Sequence, residues 1–237
     1  MRAVSLIYKK ELKSYFNSPT AYVVLVGFLL ICGWFFSQPL FLQNQATLRH
    51  LFSSLPMIFI FFIPVITMGV FAKEKSTGTI ETLSTLPLSD QEIVAGKFFA
   101  SLAVIGTGLL FTLVHFAAII LLGSNLDYGA ILCGYLGLFL LSGVYSSIGV
   151  FSSSLTSNQI VAFIISFFII FMFFMLEQTA VFMPSSISNL FQYMSLVYHF
   201  NNISKGIIDT RDIIYFIALI IFFLRLATVM NESVKWK

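Results

Sequence analysis

The chain has 237 residues, of which 58% are hydrophobic and 10% charged, with a net charge of +3. Soluble domains are about 45–50% apolar and about 25% charged. So few charges cannot cover a core that must also hide 28 phenylalanines, which excludes a soluble protein and points to an all-α polytopic membrane protein. The small net charge leaves no footprint for nucleic acid. Cys32 and Cys133 both fall in apolar runs, so buried packing is expected rather than a disulfide framework.

Over the first 16 residues, Val4, Ile7, Tyr8, Leu12, Tyr15 and Phe16 recur at helical spacing, while Lys9, Lys10 and Lys13 fall largely off that stripe. This predicts an amphipathic helix lying in the membrane interface. Ser18-Pro19 then supply a cap and a first-turn proline for the next helix. Six runs approach the roughly 20 mostly apolar residues that a bilayer crossing needs: 20–37, 54–72, 98–123, 129–155, 160–183 and 213–230. Basic residues precede the first, as in a secretory leader. That run is longer than a leader's apolar stretch, and Gln38-Pro39 follow it instead of a small-residue cleavage site, so it is expected to persist as a span. Only "SSSLTSNQ" (152–159) separates the fourth and fifth runs, which predicts a tight turn. The segment 184–212 keeps Leu190, Phe191, Tyr193, Met194, Leu196, Val197, Tyr198 and Phe200, so short helices against the external membrane surface are expected there. No internal repeat stands out, and residues 1–237 are expected to form one domain.

Basic residues in short loops set orientation. Arg2, Lys9, Lys10, Lys13, Lys73, Lys75, Lys97, Arg225, Lys235 and Lys237 fall on one side of the six runs, and only Arg49, Lys205 and Arg211 on the other. Both termini, and the loop between the second and third spans, are expected in the cytoplasm.

That loop, "EKSTGTIETLSTLPLSD" (74–90), is the polar exception in an apolar chain. Between Gly78 and Pro87, Ile80, Leu83 and Leu86 recur every third residue, giving a short helix with one apolar edge flanked by Glu81, Thr82 and Thr85. Pro87 stops it. Ser89-Asp90-Gln91-Glu92 is a capping-box pattern that starts another helix, predicted to run to about Leu122. At 1.5 Å per residue that helix is about 50 Å long and projects beyond a hydrocarbon core of about 30 Å. A short helix with an exposed apolar edge is what a groove on a partner accepts, whereas a plain turn needs only about 2–8 residues.

The stretch "KEKSTGTIETLSTLPLSDQEIVAGKFF" (73–99) resembles the signature of ABC-2 type permeases, the membrane subunits of ATP-binding cassette exporters. Glu74, Lys75, Gly78, Thr79, Ile80, Glu81, Leu83, Pro87, Leu88, Ser89, Glu92, Ile93, Val94, Gly96 and Lys97 match its pattern, and Ser84 departs from it where a second leucine is common. "YKKELKSYFNSPTAYV", "GVFSSSLTSNQIVAF" and "ISKGIIDTRDIIYF" add weaker matches, so the resemblance covers nearly the whole chain. It is most similar to the branch containing the gliding-motility permease and the permease of nitrous-oxide-reductase maturation. The resemblance implies a six-span half-transporter that pairs with a second half, alike or different, above two separate cytoplasmic ATPases. It implies that 77–86 is the coupling helix, with Gly78, Thr79, Ile80, Glu81, Thr82, Leu83 and Leu86 meeting the ATPase. It also implies an inner-membrane location if the host is Gram-negative, and export as the direction.

No G-x-x-x-x-G-K-[ST] loop occurs, and Gly96-Lys97 stand alone, so ATP and magnesium are expected on the partner ATPase, with no cofactor on this chain. Neither H-E-x-x-H nor G-x-S-x-G is present, and no catalytic role is expected. Glu177 and His115 are ionisable residues in the outer parts of spans, which makes them candidates for a pathway or gate; each would equally suit the external water layer. Arg225 can snorkel to the cytoplasmic surface. Pro64 should kink the second span, as a hinge or as mere shape. Ser142, Ser146, Gly149 and Ser153 put small residues on one face of the fourth span, for close helix packing or for a polar path. A competing reading of the whole chain is a membrane anchor or mechanical platform that docks an ATPase and moves no substrate.

Overall fold

A computed structural model describes residues 2–45, 47–79, 88–122, 127–180 and 182–234. Ten helices occur among them: α1 (Arg2–Phe16), α2 (Pro19–Leu42), α3 (Arg49–Thr67), α4 (Gly69–Ser76), α5 (Asp90–Leu121), α6 (Tyr128–Leu155), α7 (Gln159–Ala180), α8 (Ser185–Met194), α9 (Leu196–Ser204) and α10 (Thr210–Val234). No strand interrupts the described residues. Six stretches are long and apolar enough to cross a membrane, with α3 and α4 together forming the second. The chain is an all-α polytopic membrane protein.

The start signals act where the sequence puts them. Ser18 Oγ accepts from Thr20 N–H at the head of α2, with Pro19 in the first turn. Ser89 and Glu92 close a reciprocal capping box at the head of α5: Glu92 N–H donates to Ser89 Oγ and Ser89 N–H to Glu92 Oε2 at 3.1 Å. α5 has 32 residues, or about 48 Å.

Several helices outrun their apolar runs. The first span was expected to end at residue 37, but α2 continues through Pro39 to Leu42. Phe36 and Pro39 are buried there, and this packing overrides the local stop signal. The second extends beyond 54–72 at both ends, from Arg49 to Ser76, because hydropathy marks only the part in hydrocarbon while the polar flanks stay helical. The fifth run was drawn to 183, whereas α7 ends at Ala180.

α6 occupies the centre, with α3, α4, α5, α7, α9 and α10 packed around it. The outward faces of the other spans leave Leu30, Leu110, Phe168 and Phe222 exposed, a surface suited to lipid. α8 and α9 fulfil the expectation of short helices between the fifth and sixth spans. α9 buries Leu196, Phe200 and Ile203 against the bundle. α1 and the C-terminal part of α10 lie at one end of the bundle, here called the near end. A second apolar cluster sits there, with Ile7, Val70, Phe71, Ile93, Val94, Phe98, Val150 and Ala227 drawn from five helices.

Candidate functional site

The polar loop is rooted in this near-end cluster, and α1 supplies one wall. Ile7 is buried, Val4, Tyr8, Leu12, Tyr15 and Phe16 are half-buried, and Lys9, Lys10 and Lys13 are exposed, so the amphipathic stripe faces protein and the lysines face outward. α1 can lie close because residue 96 is glycine. A Cβ on Gly96 would stand 2.7 Å from Ile7 Cβ and 3.2 Å from the Val4 carbonyl oxygen. Near the other end of α1, Tyr15 Oη donates to the Ile66 carbonyl at 3.0 Å. Burial first, and the Glu11 carboxylate second, hold that phenol well above its ordinary range, so it stays a donor.

Beside Gly96 is Lys97, whose side chain is 1% exposed. Its ammonium donates to Glu74 Oε1 at 2.8 Å, Glu11 Oε1 at 3.2 Å and the Val70 carbonyl at 2.8 Å, and lies 5.1 Å from the centre of the Phe71 ring. All three of its donors are thereby used. The three partners come from α1 and α4, so one cation on α5 joins three helices. Two carboxylates face one ammonium, and Glu74 Oε2 is buried with no hydrogen-bond partner among the described residues. Lys97 was counted in the sequence among loop charges and given no role of its own. The structure corrects this, because the side chain is enclosed by the α1–α4–α5 junction.

α4 is held on its other side by α6. Lys75 Nζ donates to the Ser154 carbonyl. Ser153 Oγ accepts from the N–H groups of Phe71 and Ala72 and donates to the Met68 carbonyl. Of the small-residue face, Ser146 pairs with Ser101 at 2.8 Å, and a Cβ on Gly149 would fall 1.9 Å from Thr67 Oγ1. Close packing accounts for these positions.

Where α4 ends, Ser76 and Thr77 hydroxyls donate to the Lys73 carbonyl at 2.8 and 3.0 Å. Gly78 adopts φ +71° with open space around it, so glycine serves the backbone turn there. Thr79 is exposed and donates to the Glu74 carbonyl at 3.4 Å. Ile80, Glu81, Thr82, Leu83 and Leu86, and the short helix expected over them, lie outside the described residues. Beyond them, from Leu88 on, the described residues continue, and Asn231 Nδ2 on α10 donates to Asp90 Oδ1 at 2.6 Å.

The other candidate residues have separate surroundings. Pro64 is buried in α3, but the helix is interrupted one turn later, at Met68. There the Ser153 side chain of α6 bonds the Met68 carbonyl and the N–H groups of Phe71 and Ala72. His115 on α5 lies against Phe36 with ring centres 4.7 Å apart and planes tilted by 56°, and its Nε2 would lie 3.8 Å from a Cβ on Gly33, so it packs against α2. Glu177 on α7 accepts from Asn201 Nδ2 at 3.0 Å, and its Oε2 is buried without a partner among the described residues. A polar pair that the sequence did not single out lies nearby in the chain. His199 Nδ1 is 2.6 Å from Asp212 Oδ1 and its Nε2 is 2.9 Å from the Tyr193 carbonyl, which fastens α9 to α10. No group of three metal-ligating side chains forms among the described residues.

A family model described as ABC-2 family transporter protein matches residues 4–232. No curated protein matches the chain.

Proposed function

We propose, from the premise that the chain belongs to the ABC-2 transporter family, that this membrane permease component couples a separate ATPase to export through the segment 77–89. Family members of this kind are membrane components without a catalytic site of their own. The partner would bind ATP and magnesium at the near end, which is then cytoplasmic along with both termini. A second six-span half, alike or different, would complete the transporter, in the inner membrane if the cell has two.

One observation carries this reading. A polar segment is bracketed by a helix stop at Thr77-Gly78 and a capping-box restart at Ser89, and the helices on both sides are bound together by the buried Lys97. A solvated turn needs no buried ion pair at its root. A segment that receives force does, because its two stems must move with the spans. On this reading Gly78, Thr79, Ile80, Glu81, Thr82, Leu83 and Leu86 meet the ATPase. ATP-driven closure of the ATPase pair would shift the near ends of α4 and α5, a rigid-body change at a packed interface.

The test is co-purification. The tagged chain is extracted from its native membrane in mild detergent beside a Leu83→Asp variant, and bound proteins are identified by mass spectrometry. An ATPase with a P-loop that accompanies the wild type and is lost from the variant supports the reading; an ATPase retained unchanged by the variant, or none at all, sinks it. The resemblance to the gliding-motility branch favours a second reading, a platform that docks the same ATPase without carrying a substrate. Vesicle transport by the purified complex separates the two.

A further inference from the structure

The interruption between α3 and α4 has an unusual hydrogen-bond pattern. Met68 keeps helical angles, φ −55° and ψ −33°, and its N–H reaches the Pro64 carbonyl at 2.8 Å. One turn later the ladder changes owner. A continuous helix would direct the N–H groups of Phe71 and Ala72 to the carbonyls of Thr67 and Met68. They donate instead to Ser153 Oγ, at 2.9 and 3.0 Å, and the Ser153 hydroxyl donates to the Met68 carbonyl at 2.8 Å. Ser153 is fully buried. A hydroxyl has one donor and two acceptor sites, and here all three enter the ladder of another helix. The approach is permitted by Gly149 one turn earlier on α6, where any side chain would collide with Thr67.

We infer that Ser153 is a positioning residue that holds α3–α4 in one of two hydrogen-bonded arrangements. In the clasped arrangement, seen here, Ser153 replaces part of the ladder. In the closed one, Phe71 and Ala72 bond back to Thr67 and Met68, the second span becomes unbroken, and Ser153 turns to the Gly149 carbonyl of its own helix. In both arrangements the Phe71 and Ala72 N–H groups and the Met68 carbonyl keep a partner, so the exchange leaves none of these three unpaired in an apolar interior. Side chains that enter a helical ladder are a recognised cause of helix bending. The eight residues of α4 span about 12 Å, and a change of about 20° at Met68 sweeps the tip of α4 through about 4 Å. That tip carries Glu74 and Lys75 into the segment 77–89. The functional use of the clasp rests on the coupling reading above, in which the docked ATPase moves that segment.

The test uses the complex with its co-purified ATPase in lipid nanodiscs. Nitroxide labels are placed on cysteines at Ser76 and Ser233, both exposed and both at the near end, with Cys32 and Cys133 replaced by alanine, and the distance is measured by electron–electron resonance. Without nucleotide, Ser153→Ala should shift the distance by about 4 Å from the wild-type value. Ser153→Thr, which keeps the hydroxyl, should not. ATP with vanadate should move the wild type to the alanine variant's distance and leave that variant unmoved. Three results overturn the inference: an alanine variant identical to wild type, a shift shared by alanine and threonine, or an intact complex whose distance ignores ATP and vanadate. The nucleotide-free comparison needs no partner. Failure to capture an ATPase therefore sinks the coupling reading and leaves the clasp to stand or fall on its own data.

Discussion

Lys97 Nζ lies 2.8 Å from Glu74 Oε1, although the two residues are 23 positions apart and the polar loop separates them. Their pairing closes the base of that loop, and Glu11 on α1 completes it at 3.2 Å. Removing one partner of a buried pair typically costs 3–5 kcal/mol, because the remaining charge stays buried and unpaired. Lys97→Met leaves two carboxylates, so it should lower stability by about 3 kcal/mol and loosen both α1 and α4. Glu11→Gln or Glu74→Gln leaves Lys97 with one carboxylate and should cost clearly less. Thermal unfolding of the four proteins in one detergent checks the order. A Lys97→Met variant as stable as Glu11→Gln would show that the ammonium is not what holds the junction.

Gly96 and Ile7 test the other half of the same junction. A methyl at residue 96 would press into Ile7 Cβ at 2.7 Å and the Val4 backbone at 3.2 Å, and overpacking of this kind costs about 1–3 kcal/mol. Gly96→Ala should make α1 accessible to protease in nanodiscs while the spans stay folded. Adding Ile7→Ala makes room and should restore part of the protection. If α1 in Gly96→Ala resists protease like the wild type, its contact with α5 is looser than described.

These two residues also show what could be read from the sequence. The caps at Ser18 and Ser89 were legible because each is complete within three residues, and the stripe from Val4 to Phe16 because helical period is local. The packing of Lys97 was not, since its partners come from residues 11, 70 and 74 and a lysine in a loop count looks alike whether buried or exposed. A useful signal was present in Gly96, a residue without a side chain next to a charge at the start of an apolar run, with acidic residues in both neighbouring amphipathic segments. The interruption at Met68 was likewise hidden. Proline at 64 drew attention to the right span, but the hydroxyl that bonds the Met68 carbonyl comes from Ser153, 85 positions away.

Tyr15 gives a dependence on pH. Its phenol is raised above the ordinary value of about 10 by burial and by Glu11. The unfolded chain therefore ionises first, and the stability this group contributes is full below pH 10 and falls as pH rises beyond it. Tyr15→Phe removes the hydrogen bond to Ile66 and should cost about 1 kcal/mol at neutral pH. The difference between wild type and variant should stay constant from pH 6 to about 9 and shrink above about 10. Chemical unfolding followed across that range measures it; a difference that grows with pH would contradict the assignment.

Glu177 and His115 were grouped in the sequence as candidates for a pathway, and their surroundings give them opposite expectations. His115 fills space between Phe36 and Gly33, so His115→Ala removes a packed ring and should destabilise by about 2 kcal/mol. Glu177 keeps one carboxylate oxygen buried without a partner among the described residues, which is a cost to the fold. Glu177→Gln can retain a contact with Asn201 while removing that charge, so its stability should be unchanged or higher by up to about 1 kcal/mol. A residue that a fold keeps against its own stability is kept for another reason. If Glu177→Gln leaves unfolding temperature intact yet alters the ATPase turnover of the assembled complex, the carboxylate acts in the transport cycle. If stability drops by 2 kcal/mol or more, Glu177 is a structural partner of Asn201 and nothing further.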